Sequence, residues 1–164
     1  MNHTVPRHHG HALLWALAVL AAPAAHALSL GVPKVLIDTA VSQKFPKEKY
    51  GLQLDHPVLQ LHKARQKIEL CGQWSSKLAQ KSGDFCIDFQ PQWNKQTGEI
   101  EIAKVNLLKL TAGEGQALPS SVTRALNGSL MQLLDGTAIY KVPETVGKHL
   151  EGIEVQDSSI QLKF

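Results

Sequence analysis

The chain has 164 residues and a formal charge of +3 at pH 7, with basic and acidic residues interspersed along it. A nucleic-acid-binding surface needs a basic stripe, and the sequence contains none, so we expect no nucleic-acid partner. Hydrophobic residues make up 43% of the chain, and there is no low-complexity segment. This composition and length predict one domain with a substantial core.

The first 27 residues have the pattern of a secretory signal peptide. Residues 1–10 are polar and include Arg7, residues 12–25 are almost entirely alanine and leucine, and A-H-A follows at 25–27. The apolar run has about 14 residues, whereas a membrane-spanning helix needs about 20. An uncleaved anchor is the alternative, which Pro23 and the A-x-A pattern disfavour. We predict cleavage after Ala27 and a single exported domain over residues 28–164, without a transmembrane segment.

In chain order, the domain begins with a short helix and continues as a sheet. Apolar residues recur at helical spacing through PKVLIDTAVSQKF, and Pro46 ends the run. From Gly51 the spacing changes to two in GLQLDHPVLQLHKA, KIELCGQW, DFCIDFQPQW and EIEIAKVNLLKL. We expect four antiparallel strands in meander order. The apolar phase of the last strand slips between Ile102 and Val105, which predicts a bulge.

After a glycine-containing break, SVTRALNGSLMQLLDG predicts a long amphipathic helix. Its leucines share one broad face, Ser120 or Ser121 can cap its first turn, and Gly136 can end it. The rest of the sequence predicts a short strand near TAIYKV, a helical turn in ETVGKHL and a hairpin in GIEVQDSSIQLKF. The predicted fold class is α+β.

Cys71 and Cys86 are the two cysteines of the chain, and they could form a catalytic or metal pair, a disulfide, or two unrelated thiols. Alternation places both on the polar face of adjacent strands, opposite Leu70 and Phe85. A hairpin folded near Leu78 would make them cross-strand partners with Cβ atoms about 4.5–5.5 Å apart, close to disulfide geometry. There is no C-x-x-C motif, and no histidine is spaced to join them. Because an exported protein meets an oxidising compartment, we predict a structural disulfide.

The sequence contains no recognisable catalytic set. His56, His62 and His149 occupy turn-like, strand-end and helix-end positions, where surface or capping roles are expected. A nucleophile elbow, a P-loop and a dinucleotide fingerprint are absent. Asp84 and Asp88 flank a cysteine on the face away from the core, which disfavours paired acid–base chemistry. We therefore predict a non-enzymatic protein with no cofactor and no metal.

The order of elements, with the segments KIELCGQW, NKQTGEIEIAKVNLLKL and HLEGIEVQDSSIQLKF, resembles the YceB-like family of small bacterial envelope proteins. That family carries a domain of unknown function and is similar in fold to one half of the tubular lipid-binding, BPI-like (TULIP) superfamily. The resemblance implies a curved antiparallel meander wrapped around the long helix, with a short N-terminal helix before it. Many members are lipoproteins with a cysteine at the cleavage site. HALSL has none, which implies free periplasmic residence.

Two functional hypotheses follow, and both are non-enzymatic. The first is a periplasmic binding module for a lipid or other apolar ligand held between the sheet and the long helix. Its expected lining shares an apolar, inward-facing position: Leu70, Trp74, Phe85, Ile87, Phe89, Leu126, Leu130 and Leu134. The second is an envelope protein–protein interaction or assembly factor with a filled core and an exposed apolar patch. An apolar cavity between helix and sheet would distinguish the first from the second.

Overall fold

The structure, a computed structural model, describes residues 29–113 and 115–164. The predicted signal peptide and its cleavage site after Ala27 lie outside these residues. The elements in chain order are β1 (Ser29–Pro33), α1 (Lys34–Ser42), β2 (Lys47–Lys49), β3 (Leu52–His62), a 3₁₀ turn (Lys63–Arg65), β4 (Lys67–Ser76), β5 (Lys81–Asn94), β6 (Glu99–Ala112), β7 (Gln116–Ala117), α2 (Ser120–Leu134), β8 (Ala138–Lys141), α3 (Glu144–Gly147), β9 (Gly152–Val155) and β10 (Ser159–Lys163).

The strands form two antiparallel sheets. The larger has the order β2-β3-β4-β5-β6, and both β7 and β8 also pair with β6. The smaller has the order β1-β10-β9. The predicted α+β class, the meander from β3 to β6 and the C-terminal hairpin of β9 and β10 are confirmed. Strands β1 and β2, and the pairing of β1 with β10, were not predicted.

One bulge in β3 and two in β6 keep the apolar side chains of these strands on the core side of the sheet, and Leu108 is the extra residue of the second bulge in β6. In β3 the register with β4 shifts between Asp55 and Val58, and His56 has a φ of 50°. In β6 two residues, Lys104 and Val105, lie opposite the single residue Phe89 of β5. The bulge predicted between residues 102 and 105 is therefore confirmed. An extra residue in each strand resets the alternation of faces, so apolar residues on both sides of the bulge face inward.

The core fills the space among the larger sheet, the smaller sheet and the two longer helices. From α1 it receives Ile37 and Val41, whereas Val35 and Leu36 are exposed. The apolar side chains of the larger sheet that have no exposed area are Leu54, Ile68, Leu70, Phe85, Ile87, Phe89 and Ile100, and the smaller sheet adds Ile160. One continuous apolar cluster thus includes residues of both sheets.

Two glycines allow close backbone approaches within the larger sheet. A Cβ atom on Gly72 would lie 2.6 Å from the carbonyl oxygen of Asp55 and 2.9 Å from the ring of Phe85. A Cβ atom on Gly83 would overlap the carbonyl group of Thr111, whose carbon would be 2.7 Å away. Glycine is required where another backbone or ring comes this near. The β4–β5 hairpin is therefore held tightly between the bulge of β3 and the end of β6.

Candidate functional site

The predicted apolar lining lies mostly in the closed core. Trp74 is 1% exposed, and its Nε1 donates a hydrogen bond to the carbonyl oxygen of Thr111 at 2.9 Å. The other buried members of the predicted lining are Leu70, Phe85, Ile87, Phe89, Leu130 and Leu134, whereas Leu126 is only partly buried. Among the described residues, Trp74 is the one member that lines any of five surface clefts. The structure brings these side chains together, and their role as a ligand lining stays a prediction.

Helix α2 is tied to β6 at both ends. Before the helix begins, β7 pairs with Thr111 and Ala112 near the end of β6. After the helix ends, the N–H of Gly136 donates a hydrogen bond to the carbonyl oxygen of Ile102 at 3.0 Å. The N–H of Ile102 in turn donates to the carbonyl oxygen of Thr137 at 2.9 Å. Because these tethers lie at opposite ends of β6, α2 runs alongside the strand in the opposite direction.

The C-terminal half of α2 is closed onto the core. Leu130, Leu133 and Leu134 are buried there. Lys47 of β2 donates hydrogen bonds from Nζ to the carbonyl oxygen of Leu133 at 2.9 Å and to Oγ1 of Thr137 at 2.5 Å. Burial lowers the pKa of Lys47, and the neighbouring charges of two further lysines act in the same direction. A cation at a helix C-terminus is electrostatically favourable, so Lys47 helps to fix this end.

The N-terminal half of α2 is less deeply buried than the C-terminal half, and we call the partly buried apolar surface beside it the seam. The seam is defined by partly buried apolar side chains of β6 and of the α2 segment: Leu107, Leu110, Leu118 and Leu126. Leu108, in the same part of β6, is 47% exposed. Asn127 follows Leu126 in the helix, and its buried Oδ1 accepts no hydrogen bond from the described residues. Apolar surface and an unpaired acceptor are therefore found at one half of the helix.

The predicted disulfide between Cys71 and Cys86 is confirmed. The two residues are directly opposite each other in the β4–β5 register, with Cα atoms 4.0 Å apart. Both are partly buried and lie on the sheet face opposite that of Leu70 and Phe85. Glu69 Oε1 lies 3.5 Å from the sulfur of Cys71. Glu69 and the two sulfurs are close enough to hold a metal ion together, but sulfurs joined in a disulfide are not the thiolates that such an ion needs.

A charged network beside the disulfide was missed by sequence reasoning. Asp88 is only 4% exposed although it lies on the polar face. It accepts hydrogen bonds from Lys67 Nζ at 2.7 Å and Asn106 Nδ2 at 2.9 Å, and Arg65 Nη1 is 3.7 Å away. Burial alone would raise the pKa of Asp88, but these hydrogen bonds and charges outweigh it and hold the pKa below the usual range. The signal in the sequence was the pair Arg65 and Lys67 in HKARQK, where the 3₁₀ turn ends and β4 begins.

The three histidines among the described residues occupy separate settings. His56 is exposed in the β3 bulge, where its N–H donates to Oδ1 of Asp55 at 2.7 Å. His62 ends β3, with Nε2 at 3.1 Å from Oε2 of Glu69. His149 is exposed just after α3. The positions of His62 and His149 agree with the expected strand-end and helix-end contexts, whereas His56, expected in a turn, lies within β3.

No model of a known protein family matches the sequence, and no curated protein matches it either. The resemblance to the YceB-like family therefore stays a prediction that depends on the quoted segments. Among the described residues, no helix is both long and apolar enough to cross a membrane.

Removing the disulfide is expected to lower the free energy of unfolding by roughly 3 kcal/mol, because the bond constrains the unfolded chain. The exported protein should not react with iodoacetamide until it is reduced. The double variant Cys71→Ser/Cys86→Ser should keep the native circular dichroism spectrum but unfold at a lower urea concentration. Two reactive thiols in folded, exported and unreduced protein would contradict this prediction.

Proposed function

We propose that the protein is a non-enzymatic binding module of the bacterial periplasm that holds a lipid or another apolar ligand in the seam between α2 and the sheet. The half-buried apolar surface along the seam carries this proposal. The Cys71–Cys86 disulfide supports the periplasm, since disulfides persist in oxidising compartments. Leu126 belongs both to the predicted lining and to the seam.

In this proposal the larger sheet wraps around α2, as the resemblance implies, and the helix opens at one end. Lys47 and the three buried leucines hold the C-terminal half, while the N-terminal half moves away from β6 to admit the ligand. Each further 100 Å² of apolar surface covered by a ligand would contribute about 2.5 kcal/mol. The unpaired Oδ1 of Asn127 favours a ligand that also carries a hydroxyl or amide donor.

Replacing Leu126 with glutamine is expected to weaken the binding of the fluorescent fatty acid 11-(dansylamino)undecanoic acid by about tenfold or more. The reason is the loss of an apolar contact worth about 1.5–3 kcal/mol. Titration followed by dansyl fluorescence measures the dissociation constant. The matched control is Leu36→Gln, at a leucine exposed on α1, which should leave the constant unchanged.

The ligand proposal would be overturned if the wild-type protein did not bind the probe saturably. It would also be overturned if Leu126→Gln and Leu36→Gln lost probe affinity equally. Organic extraction of the purified protein followed by mass spectrometry adds an independent readout of co-purifying lipid. A protein that is empty in extraction and does not bind the probe would not be a carrier.

The packed core favours a second candidate, an envelope interaction factor. The apolar side chains of Leu78 and Tyr50 are 84% and 69% exposed, and Leu78 lies next to Gly51. These residues therefore present apolar surface at one end of the sheet, where a protein partner could dock. A specific adduct from a photo-crosslinker at position 78 in whole cells, absent with the crosslinker at position 36, is the evidence that would favour this candidate over a carrier.

A further inference from the structure

A basic cleft lies at the end of the β5–β6 hairpin, apart from the seam. It has a volume of about 530 Å³ and is formed by the hairpin turn, the end of β8 and α3. The N–H of Val142 donates to the carbonyl oxygen of Gly98 at 3.0 Å, which fixes β8 against the turn. Lys95, Lys141 and Lys148 line the cleft together with Trp93. We call it the lysine cleft.

The charge of the lysine cleft is unbalanced. Its acidic side chain, Glu144, is paired with Lys148 at 2.9 Å. Lys95 and Lys141 make no ion pair with any described residue, although Glu99 is opposite Lys141 in the β6–β8 register. A neighbouring cleft shares Lys95 and Lys148 and adds His149 together with the acidic Glu151. Two lysine charges are thus left for a ligand to neutralise.

The aromatic wall of the lysine cleft has a hydrogen-bond donor without an acceptor. Trp93 packs its ring against Gly147, where a Cβ atom would lie 3.0 Å from Cη2. Its Nε1 is buried and donates to no described residue. Lysine and the indole of tryptophan are donors only. The two lysines without an ion pair are exposed donors, so they favour a ligand that carries acceptors and negative charge.

We propose that the lysine cleft is a binding site for a phosphate group, with Lys95 and Lys141 as the charged contacts and Trp93 against the remainder of the ligand. Phosphate oxygens accept several charge-assisted hydrogen bonds at once, and lysine is a common partner. A soluble phosphate ester and a phospholipid headgroup present the same chemistry. This proposal does not depend on the seam, because the two sites have no residue in common.

Inorganic pyrophosphate is the first probe, and the intrinsic fluorescence of the protein is the readout. Of the two tryptophans among the described residues, Trp74 is closed in the core, so Trp93 should report binding. We expect pyrophosphate to cause a saturable change in tryptophan fluorescence at constant ionic strength, and we expect no such change in Trp93→Phe. The dissociation constant for pyrophosphate should be at least tenfold higher in Lys95→Gln/Lys141→Gln than in the wild type. The control Lys63→Gln/Lys109→Gln removes the same charge at exposed positions outside the cleft. It should change the dissociation constant for pyrophosphate less than twofold.

Vesicles separate the two sources of phosphate. Sedimentation with phosphatidylglycerol vesicles, but not phosphatidylcholine vesicles, and competition by pyrophosphate would identify a lipid headgroup. Binding of pyrophosphate without vesicle binding would identify a soluble phosphate ester. The phosphate-site proposal would be overturned if the protein bound neither pyrophosphate nor phosphatidylglycerol vesicles saturably. It would also be overturned if the two double variants lost affinity for the probe equally.

Discussion

Replacing Gly83 with alanine is expected to lower the free energy of unfolding by about 3 kcal/mol or more, or to prevent folding. The added methyl group would overlap the carbonyl of Thr111, a backbone group that cannot turn aside as a side chain can. The same carbonyl accepts the hydrogen bond from Trp74, so moving it also disturbs the core. Urea unfolding followed by circular dichroism measures the change.

Gly128→Ala is the matched control for Gly83→Ala. Gly128 lies within α2, and nothing is within 4 Å of the position that its Cβ atom would take. Alanine favours the helix and restricts the unfolded chain, so this variant should be more stable by about 0.5–1 kcal/mol. Equal stabilities for Gly83→Ala and the wild type would mean that β5 and β6 do not approach each other closely at Thr111.

Replacing Asp88 with asparagine is expected to lower the free energy of unfolding at pH 7 by about 2–3 kcal/mol. The variant keeps the shape of the side chain but leaves Lys67 without its buried counter-charge. Asp84→Asn, on the same strand and face, is the control and should change stability by less than about 0.5 kcal/mol, since Asp84 makes no ion pair with the described residues.

The contribution of Asp88 to the free energy of unfolding should decrease at acidic pH. The pKa of Asp88 is lower in the folded protein than its ordinary value, so its ionised form is favoured by folding. Its contribution is complete above the unfolded pKa of about 3.9 and is lost as the pH falls through the folded value. The difference between the wild type and Asp88→Asn should therefore be constant from about pH 7 to pH 5 and shrink below about pH 4. A difference that grows as the pH falls would contradict the assignment.

The features that follow from local alternation were predictable. The meander, the bulge near Lys104 and the Cys71–Cys86 pairing all depend on which face each residue takes, and a period of two determines that face. Alternation does not say what covers a face. Asp88 is on the polar side as expected, yet side chains reaching over from Arg65 and Lys67 bury it.

Helical spacing likewise predicts which face of a helix a side chain lies on, but it does not predict how much of that side chain is buried. Leu126 and Leu130 share one face of α2, but the first is partly buried and the second fully buried, because only one half of the helix closes on the core. The lysine cleft could not be predicted either. Lys95, Lys141 and Lys148 belong to separate elements, and the pairing of β6 with β8 brings them together.

The pairing of β1 with β10 has a consequence for the timing of folding. Ser29 is opposite Lys163 and Pro33 is opposite Ser159, so the earliest and latest described strands are neighbours. Such a long-range contact closes nearly the whole described chain into one loop, which is slow and entropically costly. During synthesis, β1 cannot find its partner until β10 has left the ribosome. The smaller sheet would therefore form only after the residues of the larger sheet have all been synthesised.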